Sequence, residues 1–148
     1  MEQYGHSSAL GLKYRGHGDD WAELIMPWRA DLVGDISMQT MATGAITGLL
    51  DMAAGMSVWT RLGAFRPQAT LDIRIDYLRP AKAKADMFGR VECYRTTRQI
   101  AFVRGIAHDG DPDDAVAHMA ACFMFTGDVM APRGSTANPL PPHSKAAP

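Results

Sequence analysis

Cysteine is scarce in this chain: only Cys93 and Cys122 occur in 148 residues, both in strand-like segments. That is too few for a disulfide framework, and free buried thiols in a cytoplasmic protein are the expectation. Histidine is sparse as well. His6, His17, His108, His118 and His143 include no pair at metal-ligand spacing, with each other or with a cysteine, which speaks against a zinc site. Basic charge is not in surplus: 15 Lys and Arg face 16 Asp and Glu, for a net charge of −1. The electrostatic basis for nucleic-acid binding is therefore missing. The first eight residues have neither a basic start nor an apolar run, so no signal peptide is expected. Residues 41–60 are apolar enough to raise a membrane helix. A central Asp51, three glycines and several Ser or Thr argue against it. No internal repeat is visible.

What is present fits one globular domain, with 47% hydrophobic and 21% charged residues. The domain is expected over residues 1–126. Residues 127–148, with Pro132, Pro139, Pro141, Pro142 and Pro148, read as a mobile tail.

Between Asp35 and Arg61 the only charged residue is Asp51. It lies in a segment, residues 44–62, that reads as a helix apolar nearly all round, with Gly63 as its stop. An unpaired acid in such a helix is costly unless it is bonded or used. Strands are expected at 9–16 and 21–26, before the helix. After it, residues 71–77 alternate apolar Leu71, Ile73, Ile75 and Tyr77 with charged Asp72, Arg74 and Asp76. That is the two-residue period of a half-buried strand. Further strands are expected at 87–95, 99–107 and 115–125, with 109–114 as a polar hairpin loop. Residues 29–43 read as a long connection. Strands curling around one helix give an α+β architecture. The sheet's other face then calls for solvent or a second subunit, which favours an oligomer.

Asp51 in its helix, followed by Asp72-Ile-Arg-Ile-Asp-Tyr-Leu-Arg-Pro-Ala81, resembles the hotdog-fold acyl-CoA thioesterases, in the branch that includes the phenylacetate-degradation enzymes. The resemblance spans about residues 10–125 and implies a sheet of about six antiparallel strands wrapped around the helix. It implies hydrolysis of an acyl-CoA thioester by a homodimer or homotetramer, with no cofactor beyond the CoA of the substrate. Asp51 takes the position of the catalytic acid. The family's His-Gly-Gly at the helix entrance is replaced by Ala42-Thr43-Gly44. The family's oxyanion N–H maps to Thr43, with Gly44 beside it, and a backbone N–H survives a change of side chain. The family's Asn or Gln before the entrance maps to Ile36, flanked by Asp35, with Gln39 nearby. Its helper Ser or Thr maps to Thr70.

Each residue also has a structural reading. Asp51 would be an acid bonded to backbone or to an Arg, Thr43 a helix cap and Thr70 an ordinary strand residue. Arg79, Lys82, Lys84, Arg95 and Arg98 lie near expected strand ends, as contacts for the CoA phosphates or as solvated charges. A non-catalytic acyl-CoA or lipid-binding protein and a hotdog hydratase are the rival functions. The hydratase is weakened because no histidine lies within residues 34–80.

Overall fold

The computed structural model describes residues 5–130. A short helix α1 (His6–Ala9) leads to β1 (Lys13–His17) and β2 (Trp21–Met26). A 3-10 turn (Ala30–Leu32) and the strands β3 (Val33–Asp35) and β4 (Thr40–Met41) precede the long helix α2 (Thr43–Leu62). The strands β5 (Gln68–Tyr77), β6 (Met87–Thr96), β7 (Ile100–His108) and β8 (Ala117–Phe125) follow. Six strands form one sheet in the order β1-β2-β6-β7-β8-β5, antiparallel throughout. β3 and β4 make a separate hairpin. One face of the sheet carries α2, the α+β arrangement expected from the residues and the hotdog fold implied by the resemblance.

Two-residue alternation builds the surface under the helix. Ala22, Leu24 and Met26 of β2 are buried, as are Met87, Gly89, Val91 and Cys93 of β6. Ala117, Met119, Ala121, Phe123 and Phe125 complete it from β8. These residues meet Ile46, Leu49, Leu50, Ala53 and Val58 of α2 in one core. Gly89 permits the closest approach, since a Cβ there would lie 2.9 Å from the Leu49 side chain. Gly63 ends the helix with a left-handed φ of 63° and donates its N–H to the Thr60 carbonyl.

The structure corrects four expectations. The strand expected at 9–16 begins only at Lys13, because residues 6–9 form α1, which packs Leu10 and His6 over Gly48 of α2. The connection at 29–43 contains the β3–β4 hairpin, held by Asp35, whose Oδ1 accepts the N–H groups of Ser37 and Met38 and the Ser37 hydroxyl. Helix α2 is not wrapped on all sides. One sheet covers one flank, and Gly44 and Met52 stay exposed while Thr47, Asp51, Met56 and Trp59 are half-buried. Finally, the chain does not leave the domain at residue 126. The Arg66 side chain donates to the Gly127 carbonyl, and Met130 N–H donates to the Phe65 carbonyl. The rest of the expected tail, 131–148, lies outside the described residues.

The contact at Gly89 yields a test of the core. Gly89→Val is expected to lower stability by about 1–3 kcal/mol through overpacking against Leu49. An unchanged urea midpoint would show that the helix has room to move away.

Candidate active site

Asp51 sits two turns into α2, half-buried at the margin of the covered flank. Its Oδ1 accepts the Thr70 hydroxyl at 2.8 Å. Among the described residues no Lys, Arg or His comes within ion-pairing distance of it. Among the described residues nothing donates a hydrogen bond to Oδ2. The structural reading has Asp51 bonded to backbone or to an Arg; among the described residues its partner is instead the Thr70 hydroxyl.

A β-bulge delivers the Thr70 hydroxyl. Strict alternation back from Ile73 and Ile75 would point Leu71 at the helix and Thr70 away from it. In the observed register Thr70 pairs with Phe123 and Asp72 with Cys122, so Leu71 is an extra residue. The extra residue re-aims Thr70 onto the face it shares with buried Phe123, beneath α2. Two residues earlier, the Gln68 side-chain amide donates to the Gly55 carbonyl at 2.9 Å and ties β5 to the next helical turn.

The helix entrance is open. Ala42 is the N-cap, with extended φ −62° and ψ 137°, and offers no capping side chain. Its carbonyl takes the N–H groups of Ala45 and Ile46 at 3.1 and 3.2 Å. Among the described residues nothing accepts from the N–H groups of Thr43 or Gly44. Thr43 is therefore the first helical residue and its hydroxyl is not a cap, contrary to one expectation. Both residues are exposed, beside an open cleft of about 500 Å³ lined by Met38, Met41, Thr43, Ile46, Tyr77 and Leu78. Unpaired N–H groups and the positive end of the helix dipole make this a place for negative charge.

Two hydroxyls that sequence reasoning passed over converge on this first turn. Tyr77 OH donates to the Thr43 carbonyl at 2.9 Å, and Thr47 Oγ1 donates to the same oxygen at 3.0 Å. The hydroxyls lie 3.2 Å apart. In the sequence Tyr77 reads as an apolar-face residue of the strand and as one of the large side chains that could meet an acyl group, and periodicity does not report a phenol. Ile36 and Asp35 lie in the β3–β4 hairpin, where Ile36 is exposed and Asp35 serves the turn. The Gln39 amide donates to the Ile36 carbonyl. None of the three is bonded to the entrance.

The basic residues divide into two groups. Arg79 is corrected as a phosphate contact, because all five of its N–H donors are taken within the chain. They meet both carboxylate oxygens of Asp109, the carboxylate and carbonyl of Asp114, and the Pro80 carbonyl. Asp109, expected in a polar loop, has a fully buried side chain. Hydrogen bonds from Arg79 hold its carboxyl down to about 2 against the upward push of burial, helped by the Lys82 N–H. Lys82, Lys84, Arg95 and Arg98 are exposed. Lys84 N–H bonds to Gln39 near the start of α2, whereas the Arg98 carbonyl receives Arg66, which follows its end. A helix of 20 residues, about 30 Å long, separates these ends, so one chain does not gather the four into one site. Among the described residues no group of three His, Cys, Asp or Glu is placed to hold a metal ion, and no helix is long and apolar enough to cross a membrane.

The profile of the thioesterase superfamily matches residues 38–116, which include the helix entrance, Asp51, Thr70 and Tyr77. No curated protein matches the chain. Among solved structures, a protein from Pseudomonas aeruginosa is 36% identical, with a TM-score of 0.74 over 80% of this chain and 88% of that one. A mutant of the phenylacetic acid degradation protein PaaI from Thermus thermophilus is 27% identical, with a TM-score of 0.69 over 80% and 96%. The PaaI protein of Escherichia coli, at 17% identity and a TM-score of 0.73 over 84% and 86%, shares the fold.

The assignment of Arg79 to the scaffold is checked by Arg79→Ala. It strands a buried carboxylate and is expected to cost about 3 kcal/mol in urea unfolding at neutral pH. Because Asp109 titrates lower in the folded chain, its contribution is complete above the ordinary value of 3.8 and is lost as the pH falls toward about 2. The variant should lose that acid limb of the stability profile. A variant with unchanged stability would return Arg79 to the candidate phosphate ligands.

Proposed function

The chain belongs to the thioesterase superfamily, and we propose that it hydrolyses an acyl-CoA thioester to the free acid and CoA. One observation carries this reading. The same helix presents, at an exposed entrance, two N–H groups with no acceptor among the described residues and, farther along, a carboxylate oriented by the Thr70 hydroxyl. The Thr43 and Gly44 N–H groups bind the thioester carbonyl oxygen and stabilise the charge that develops there. Asp51 Oδ2 takes a proton from water as the water oxygen bonds to the carbonyl carbon, or attacks that carbon itself to give an anhydride that water then cleaves. In the first route the C–S bond breaks and the proton that Asp51 took from water passes to the CoA thiolate; in the second the thiolate leaves as the anhydride forms, and the water that cleaves the anhydride supplies the proton it takes up. Thr70 holds the other carboxylate oxygen throughout.

Gly44 and Asp51 are seven residues apart, about 10 Å along the axis, which is too far for both to reach one carbon. The working site therefore joins the entrance of one subunit to Asp51 of a second copy. The unpaired outer edge of β5 and the uncovered stripe of α2 are the surfaces available for that pairing. Lys82, Arg95 and Arg98 remain exposed for the phosphates of CoA, the last two offered from the far end of the helix. The likeness to a phenylacetic acid degradation protein makes aryl-acyl thioesters the first substrates to try.

Thiol release by wild type and Asp51→Asn tests the reading. The variant is expected to fold and to lose roughly 10²–10⁴-fold in turnover. Unchanged turnover would remove Asp51 from the chemistry. A folded wild type that binds acyl-CoA without releasing thiol would identify a non-catalytic binding protein. The shared site has its own test, because proline is tolerated at the first helical position and Thr43→Pro deletes one N–H there. Mixing inactive Thr43→Pro with inactive Asp51→Asn should restore roughly a quarter of wild-type activity, since half of randomly paired dimers hold one intact site. No restoration after subunit exchange would place the whole site within one chain.

A further inference from the structure

Resting on the reading of the helix entrance given above, we propose that Tyr77 is a positioning residue: with Thr47, its hydroxyl orients and polarises the Thr43–Gly44 peptide so that the Gly44 N–H meets the thioester oxygen. The Thr43 carbonyl and the Gly44 N–H belong to the same planar peptide unit. A donor that fixes the oxygen therefore fixes the direction of the hydrogen on the opposite side. Tyr77 and Thr47 place two donors on that oxygen, at 2.9 and 3.0 Å.

The restraint adds to the helical bond that the Thr47 N–H makes to the same oxygen, in the first turn of α2, where the chain is held from one side only. The N-cap has no side chain that reaches the first turn. Gly44 is exposed, and a Cβ built on it would meet nothing within 4 Å. Glycine adds backbone freedom at the very residue whose N–H is needed. Tyr77 approaches from outside the helix, as the last residue of β5. It thus ties the direction of the Gly44 N–H to the same strand whose Thr70 orients Asp51. Electron withdrawal is the second effect. A carbonyl that accepts additional hydrogen bonds polarises its own amide and makes the attached N–H a stronger donor. That gain grows as charge builds on the substrate oxygen, so it belongs to kcat more than to KM.

Tyr77→Phe removes the phenol and keeps the ring. Its kcat is expected to fall roughly tenfold, less than the 10²–10³ for deleting an oxyanion donor outright, with KM nearly unchanged. A thioether analogue of acyl-CoA, which has no carbonyl, should bind both proteins equally. A trifluoromethyl-ketone analogue, which adds water to become tetrahedral, should lose affinity in parallel with kcat. Independently of turnover, NMR should show the Thr43 carbonyl carbon and the Gly44 amide proton shifted in the variant. An active wild type with an unchanged kcat in Tyr77→Phe overturns the proposal, as does a variant that loses kcat only in proportion to folded protein. If wild type proves inert on every thioester, the hydrolase reading falls, and the NMR comparison alone decides: unmoved Thr43 and Gly44 signals overturn the restraint, and shifted signals uphold it. Should Tyr77→Phe fail to fold, Thr47→Val removes the other donor and gives the same readouts.

Discussion

The packing of one long helix against one sheet is the constraint on which the remaining features depend. The sheet can accept α2 closely because its inner face carries small residues where the helix passes: Ala22, Gly89, Ala101, Ala107, Ala117 and Ala121. Larger groups from the helix, Ile46, Leu49, Leu50 and Val58, fill the hollow. Burial of this apolar surface is the dominant favourable term in such a fold. A single layer covers only one flank, however. The residues that rotate away from the sheet, Gly44, Thr47, Asp51 and Met52, form a stripe along the other. The candidate site follows from that geometry, since the stripe includes both the start of the helix and its only acid.

Two aspartates show how environment separates a carboxylate that is fully engaged from one that is not. Asp109 is fully buried and has both oxygens held by Arg79, so its carboxylate is anchored and has little left to offer. Asp51 is half-buried and receives one hydroxyl. The same logic divides the cations. A guanidinium with all five donors occupied belongs to the fold, and an exposed lysine or arginine end belongs to whatever approaches it. Type and position along the chain did not distinguish these cases; partners did. Asp109 lies thirty residues after Arg79, and the two meet only where the β5–β6 and β7–β8 connections fold together.

That contrast explains what could be read in advance. The helix was legible because a run of apolar residues ends at Gly63, and β5 because charged and apolar residues alternate over Leu71 to Tyr77. Asp51 stood out because it was alone, and Thr70 because its spacing matched a family pattern. The bulge at Leu71 was not legible. One unpaired residue in an exposed edge strand leaves no mark on periodicity, yet it decides which way Thr70 points. The β3–β4 hairpin and α1 are too short for any period to register. Arg79 was misread because an arginine near a strand end looks the same whether its partner is solvent, a phosphate or a buried acid.

The altered entrance, Ala42-Thr43-Gly44, can be weighed in the same terms. An oxyanion site built from backbone needs an N–H, a direction for it and freedom from competing acceptors. The first is supplied by any residue except proline. The third is met here, since no neighbouring side chain or carbonyl among the described residues accepts from Thr43 or Gly44. An alanine at the N-cap contributes to this by default, because serine, threonine or aspartate there would turn its oxygen onto the next N–H groups. Direction comes first from the helix itself, whose Thr47 N–H meets the Thr43 carbonyl. In this chain the hydroxyl groups bonded to the Thr43 carbonyl come from Thr47, one turn along the helix, and from Tyr77 across on the sheet. The loss of an imidazole at position 42 therefore removes a side chain without removing the backbone groups, and the groups that touch this peptide lie outside the motif by which such an entrance is ordinarily recognised.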